Sequence, residues 1–125
     1  MTTLKKVIER TDAIKPNVFT ETQKRDWIYA LEVSLREFRV MYDDRETDML
    51  FLNDENAELI LPRDKDDAYV YYLMAMMDLA NEDIGMYNNN ITMANELIKA
   101  FQKQYRRENL PKKNTKITER GVSGQ

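Results

Sequence analysis

Apolar positions recur along the first residues at Leu4, Val7, Ile8 and Thr11, the i, i+3, i+4, i+7 spacing that lines one face of a helix. Thr3 stands where an N-cap oxygen is needed, and Pro16 ends the element by about Ile14. After the linker Lys15-Pro16-Asn17-Val18-Phe19 comes Thr20-Glu21-Thr22-Gln23, which has the S/T-x-x-E/Q form of a capping box. A second helix is predicted from Glu21 to about Tyr42, with Trp27, Leu31, Leu35 and Phe38 on one face and Ile28 beside them. Residues 43–58 break the period. They mix acids and asparagines with an apolar cluster at Met49, Leu50, Phe51 and Leu52, and read as a long loop with an apolar anchor. Glu58-Leu59-Ile60-Leu61-Pro62 is a candidate extended edge segment, because Pro62 disfavours helix in the residue before it.

Asp66 or Asp67 is positioned to cap a third helix reaching Asn81, and that stretch is apolar nearly all round, as in a central helix buried on several sides. A break is expected near Gly85. Beyond it Tyr87, Ile91, Ala94, Ile98, Phe101 and Tyr105 alternate four- and three-residue steps, a heptad-like seam on a fourth helix. From Pro111 the chain has few apolar residues, no period and two glycines, the pattern of a mobile tail. The fold expected is therefore all-α: a small bundle of about four helices over residues 1–110, with a long loop, room for one short strand, and a flexible basic tail over residues 111–125.

Composition narrows the chemistry. The chain has no Cys and no His among its 125 residues. That removes thiolate chemistry and disulfides, and with them the commonest general base near neutral pH and the commonest transition-metal ligand. None of the three glycines sits in a phosphate-cradling frame. Asp43, Asp44, Glu46 and Asp48 are rich in oxygen donors but lack the spacing and the distal Glu of a calcium loop. No catalytic residue, cofactor or metal is assigned, and the expectation is a protein that is not an enzyme. Met74, Met76, Met77, Met86 and Met93 read as core filling. Tyr69, Tyr71 and Tyr72 read as buried rings whose hydroxyls reach solvent.

Charge changes the picture more. The net charge is −3, yet residues 43–67 hold ten acids against three bases, and residues 103–125 hold seven bases against two acids. The bases Lys103, Arg106, Arg107, Lys112, Lys113 and Lys116 form a candidate docking patch for nucleic-acid phosphates or an acidic protein surface. The competing account, cations complementing a helix C-terminal dipole, covers only those before Pro111. No apolar run approaches the length of a membrane span, and no membrane partner is expected. The opening Met1-Thr2-Thr3-Leu4-Lys5-Lys6 lacks a secretory h-region, so a cytoplasmic site of synthesis is the expectation.

A family resemblance spans residues 4–111. Val7-Ile8-Glu9, Lys15-Pro16-Asn17, Gln23-Lys24 and Trp27 resemble the opening of phage and prophage head-tail connector (adaptor) proteins. Tyr69-Val70-Tyr71-Tyr72-Leu73-Met74-Ala75-Met76-Met77-Asp78-Leu79-Ala80-Asn81-Glu82, then Tyr87-Asn88-Asn89, Phe101 and Tyr105-Arg106-Arg107, are similar to that family's paired central helices. The chain departs from the family at Asn81-Glu82-Asp83, where a Gly is expected in the turn, and in its long basic tail. The resemblance implies a virion protein at the head–tail interface. It would join its own copies in a dodecameric ring beneath the portal protein, extend the channel for genomic DNA without reading its sequence, and receive a head-closure or tail-completion protein. On that reading the acidic residues Asp43, Asp44, Glu46 and Asp48 are candidates for the channel lining, since a basic lining would hold phosphates through counterion release. The acidic region and the basic tail are candidates for the two complementary faces of the ring contact. A helical nucleic-acid-binding accessory protein acting through the basic end is the alternative, and a small enzyme or enzyme regulator a further one.

Overall fold

The structure, a computed structural model, describes residues 2–43 and 56–109. Four helices occupy them in the order α1 (Leu4–Ile14), α2 (Glu21–Asp43), α3 (Asp67–Ala80) and α4 (Ile84–Glu108). The all-α bundle is as expected from the periodicity. The acidic loop with its Met49–Leu52 anchor, and the tail after residue 110, lie outside the described residues.

Local chemistry starts each helix. The Thr3 hydroxyl accepts from the Lys6 backbone N–H and opens α1. At α2 both arms of the capping box form: Gln23 N–H donates to Thr20 Oγ1 at 3.1 Å, and Thr20 N–H donates to Gln23 Oε1 at 2.9 Å. Asp83 accepts from Met86 N–H and opens α4. Asp66 departs from the expected cap: its backbone is already helical (φ −72°, ψ −13°) and its side chain makes no cap bond. The chain enters α3 through a turn closed by Lys65 N–H to the Pro62 carbonyl, which frees the Asp66 carboxylate to bind Thr2 and Arg10 instead.

Leu4, Val7, Ile8 and Thr11 are the buried face of α1, as their spacing predicts. On α2 the buried line runs through Lys24, Ile28, Leu31, Glu32 and Leu35, so Ile28 lies deeper than Trp27. Trp27 sits at the edge and packs edge-on against Phe19, with ring centroids 5.3 Å apart. Helix α3 is central: it packs most extensively on α4 and also meets α1 and α2. Met74 and Met77 fill the core, whereas Met86 and Met93 are exposed. Burying a Leu such as Leu35, Leu61 or Leu73 contributes roughly 1.5–3 kcal/mol each.

No strand forms among the described residues. The segment read as an extended edge makes a single antiparallel bridge, Thr3 to Glu58, with Leu4 N–H donating to Ala57 O and Leu59 N–H donating to Thr2 O. Leu59 and Leu61 are buried, and no second strand lies alongside; the segment is held by side chains instead.

The break between α3 and α4 falls at residues 81–83, and Gly85 lies in the first turn of α4. Asp83 N–H donates to Asp78 O at 2.8 Å and Glu82 N–H donates to Leu79 O at 3.1 Å, the paired bonds of a Schellman motif. Its left-handed position is held by Glu82, at φ 61°. It lies within Asn81-Glu82-Asp83, the turn in which a Gly is expected from the resemblance. Glu82→Gly is expected to stabilise the protein by about 1 kcal/mol, because it relieves left-handed strain at an exposed site. A thermal melt reads this as a rise in Tm of several degrees, and an unchanged or lowered Tm would contradict it.

Candidate partner-docking site

Lys103, Arg106 and Arg107 extend from the last turns of α4 and are all exposed. With exposed Lys99 they follow 4- and 3-residue steps, so the four cations form a stripe on the solvent side of the helix. The opposite side explains why that stripe faces outward. Phe101 and Tyr105 pack against Phe38 of α2 with centroids 6.4 and 6.0 Å away, and Phe38 in turn lies 5.0 Å from Tyr42. This aromatic joint clamps the end of α2 to the end of α4. Asp43, the last residue of α2, therefore sits at the same end of the bundle as the basic stripe. Asp44, Glu46, Asp48, Lys112, Lys113 and Lys116 lie outside the described residues. Asp43 and Glu108, the last residues of α2 and α4, thus lie at the same end of the bundle.

Beside this end a groove of about 290 Å³ runs between α2, residues 60–64 and α4, edged by Arg39, Asp64, Gln104 and Glu108. The Arg39 Nε is buried there with no hydrogen-bond partner. Both signs of charge line the groove, Arg39 with Asp64 and Glu108.

Two buried carboxylates were not singled out by sequence reasoning. Glu32 on α2 is 2% exposed. Its Oε1 accepts the Ile60 backbone N–H at 2.9 Å and its Oε2 accepts the Tyr69 hydroxyl at 2.6 Å. The Tyr69 oxygen in turn accepts Leu61 N–H at 2.8 Å. The Tyr69 ring is therefore buried hydroxyl and all, contrary to the expectation that its hydroxyl reaches solvent; Tyr71 and Tyr72 are half-buried. Burial pushes the Glu32 carboxyl up to about 7, a rise only partly offset by the bonds from Tyr69 and Ile60 and by the Arg39 charge. Burial and the neighbouring Glu32 charge push the Tyr69 hydroxyl upward too. Raised carboxyls are common at acid–base sites. This one has both oxygens occupied by groups of the protein itself and is closed from water, so its geometry is that of a clamp.

Asp78 on α3 is the second. It is 1% exposed, receives the Lys15 ammonium on Oδ1 and the Asn90 amide on Oδ2 at 2.8 Å, and so ties α1, α3 and α4 together. Nearby, buried Lys24 reaches Asp12 at 2.8 Å and Asn17 adds a bond at 2.9 Å. Burial opposes ionisation of Asp12, but those two bonds and the Lys24 charge outweigh it and hold the carboxyl below its ordinary range. A lone acid within an amphipathic helix reads as solvent face, and only the folded contacts distinguish Glu32 and Asp78 from their exposed neighbours. Among the described residues no group of three or more acids forms that could hold a metal ion, and no helix is long and apolar enough to cross a membrane.

No known family, curated protein or solved structure matches the chain.

The Glu32 clamp has a defined pH signature. Unfolded, the carboxyl ionises at its ordinary value near 4.5; folded, it does so at about 7. The folded state therefore holds the proton more tightly. The contribution is fully present below pH ~4.5 and is lost as pH rises through about 7, an effect on the order of 3 kcal/mol. Glu32→Gln is expected to abolish that dependence, so the stability difference between native protein and variant, followed by urea unfolding from pH 4.5 to 8, should change steadily over the interval. A constant difference would refute the assignment.

Proposed function

We propose that the protein is a structural head–tail connector subunit of a tailed phage or prophage, assembling as a ring under the portal. It extends the DNA channel and receives head-closure or tail proteins. The observation that carries this reading is where the resembling segments fall. Val7-Ile8-Glu9 lies on α1; Lys15 and Asn17 of the linker make the Asp78 and Asp12 joints; Gln23 completes the α2 cap and Trp27 seats Phe19. The long central match is α3 with its turn, and Tyr87, Phe101 and Tyr105 are the inner seam of α4. The similar residues are thus the ones that build a rigid bundle, as a mechanical subunit requires. Helices α2 and α4, of 23 and 25 residues, span about 35 Å or more each and give the subunit its length.

In this reading the exposed end of α4 docks on the portal or a neighbouring subunit. Changing Lys103, Arg106 and Arg107 to Ala should lower attachment to DNA-filled, tailless heads at least about tenfold, while melting temperature stays within a degree or two because the three side chains are exposed. Co-sedimentation followed by imaging of the portal vertex reads the outcome. Native protein that adds no symmetric ring there would overturn the connector reading. The channel role of Asp43, Asp44, Glu46 and Asp48 is tested separately: changing them to Asn and Gln should slow DNA ejection without preventing ring assembly, and unchanged ejection would remove that role.

The exposed stripe Lys99, Lys103, Arg106 and Arg107 also favours a second reading, a nucleic-acid-binding accessory protein. Retention on free duplex DNA that falls steeply with salt, together with no binding to heads, would establish it.

A further inference from the structure

Two surfaces lie at opposite ends of α3. One is the turn between α3 and α4. Glu82 keeps a bulky side chain in the left-handed region, where glycine is the unstrained choice, and its carboxylate meets no hydrogen-bond or ion-pair partner among the described residues. Leu79, Ile84 and Met86, in the turns on either side of it, are 45%, 54% and 45% exposed.

The other surface is a cleft of about 390 Å³ at the start of α3, lined by Thr2, Lys6, Arg10, Arg63 and Asp66. Asp66 and Asp67 hold the Arg10 guanidinium, and the Thr2 hydroxyl donates to Asp66 at 2.7 Å. Lys6 and Arg63 have no ion-pair partner among the described residues, and both are exposed. The cleft therefore presents two uncommitted cations on a rigid floor, and the turn presents one uncommitted carboxylate.

We infer that these surfaces meet between copies of the chain: the α3–α4 turn of one subunit docks in the cleft of the next, with the Glu82 carboxylate between Lys6 and Arg63. The two surfaces are separated by the length of the 14-residue α3, about 21 Å, and share no residue, so the contact is heterologous and repeats head to tail. Exposed ion pairs alone contribute little to association. The charges set partner and register, and exposed Leu79, Ile84 and Met86 beside the turn add apolar area to the contact. The inference rests on the connector reading only for closure of the repeat into a ring; the contact itself belongs to the purified protein.

Sedimentation of the full chain over a concentration series tests it. The native protein should self-associate. Glu82→Lys and Arg63→Glu should each move the association midpoint at least about tenfold higher in concentration, and combining them should restore it to near the native value. Unchanged melting temperatures keep loss of fold from imitating the effect. A native protein that stays monomeric throughout, single variants that associate like the native chain, or a pair that fails to recover would each overturn the contact. Tailless heads separate the two claims. Rings formed equally well by Glu82→Lys sink this contact alone. Refusal by heads of a native protein whose charge swap works in solution sinks the connector reading alone.

Discussion

A buried stretch of non-helical backbone is the constraint around which the bundle is arranged. Leu59 and Leu61 enter the core, which carries the N–H groups of residues 59–61 away from water without a neighbouring strand to receive them. Each unsatisfied buried N–H would cost about 1–3 kcal/mol, so acceptors must come from elsewhere. Thr2 supplies one from its carbonyl, Glu32 another from α2, and the Tyr69 hydroxyl the third from α3. Because Glu32 and Tyr69 are also bonded to each other, the segment fixes α2 against α3 in both rotation and height. The same demand accounts for the α2 core line running through Ile28 and Glu32, with Trp27 left at the margin.

Helix α3 poses the complementary problem. A helix apolar on most sides has few features that choose one rotation over another, since Leu, Met and Ala exchange places at small cost. Its polar pins provide the choice. Tyr69 near its start reaches α2, and Asp78 near its end accepts from Lys15 of the α1 linker and Asn90 of α4. The two pins are nine residues apart and face different neighbours, so a rotation that satisfied one would strand the other. The ionic pin need not add net stability over a hydrophobic replacement; its consequence is a single register.

Much of this architecture was legible along the chain, and the divide follows interaction range. The Thr3 cap, the Thr20–Gln23 box, the α1 stripe and the α4 seam depend on residues within one or two turns, and the structure realises each of them. Glu32 and Asp78 were illegible because their partners stand 12 to 63 residues away. Leu59-Ile60-Leu61 reads as an edge strand because extended backbone and alternating burial look alike whether carbonyls or side chains receive the N–H groups. Asp66 reads as a cap because its competing partners, Thr2 and Arg10, come from the other end of the sequence. Of the candidate docking residues, the structure gives Lys103, Arg106 and Arg107 exposed on one stripe, and the end of α2 at Asp43 beside them.

A head-to-tail contact needs two different, complementary surfaces on each subunit, and the contact inferred between copies takes them from opposite ends of one rigid element. Helix α3 is that element: it is pinned at both ends, touches every other helix, and bears the uncommitted acid at one end and the uncommitted cations at the other. Rigidity between the two surfaces would fix the angle between copies joined in that way, and a fixed angle is what separates a closed ring from an irregular aggregate.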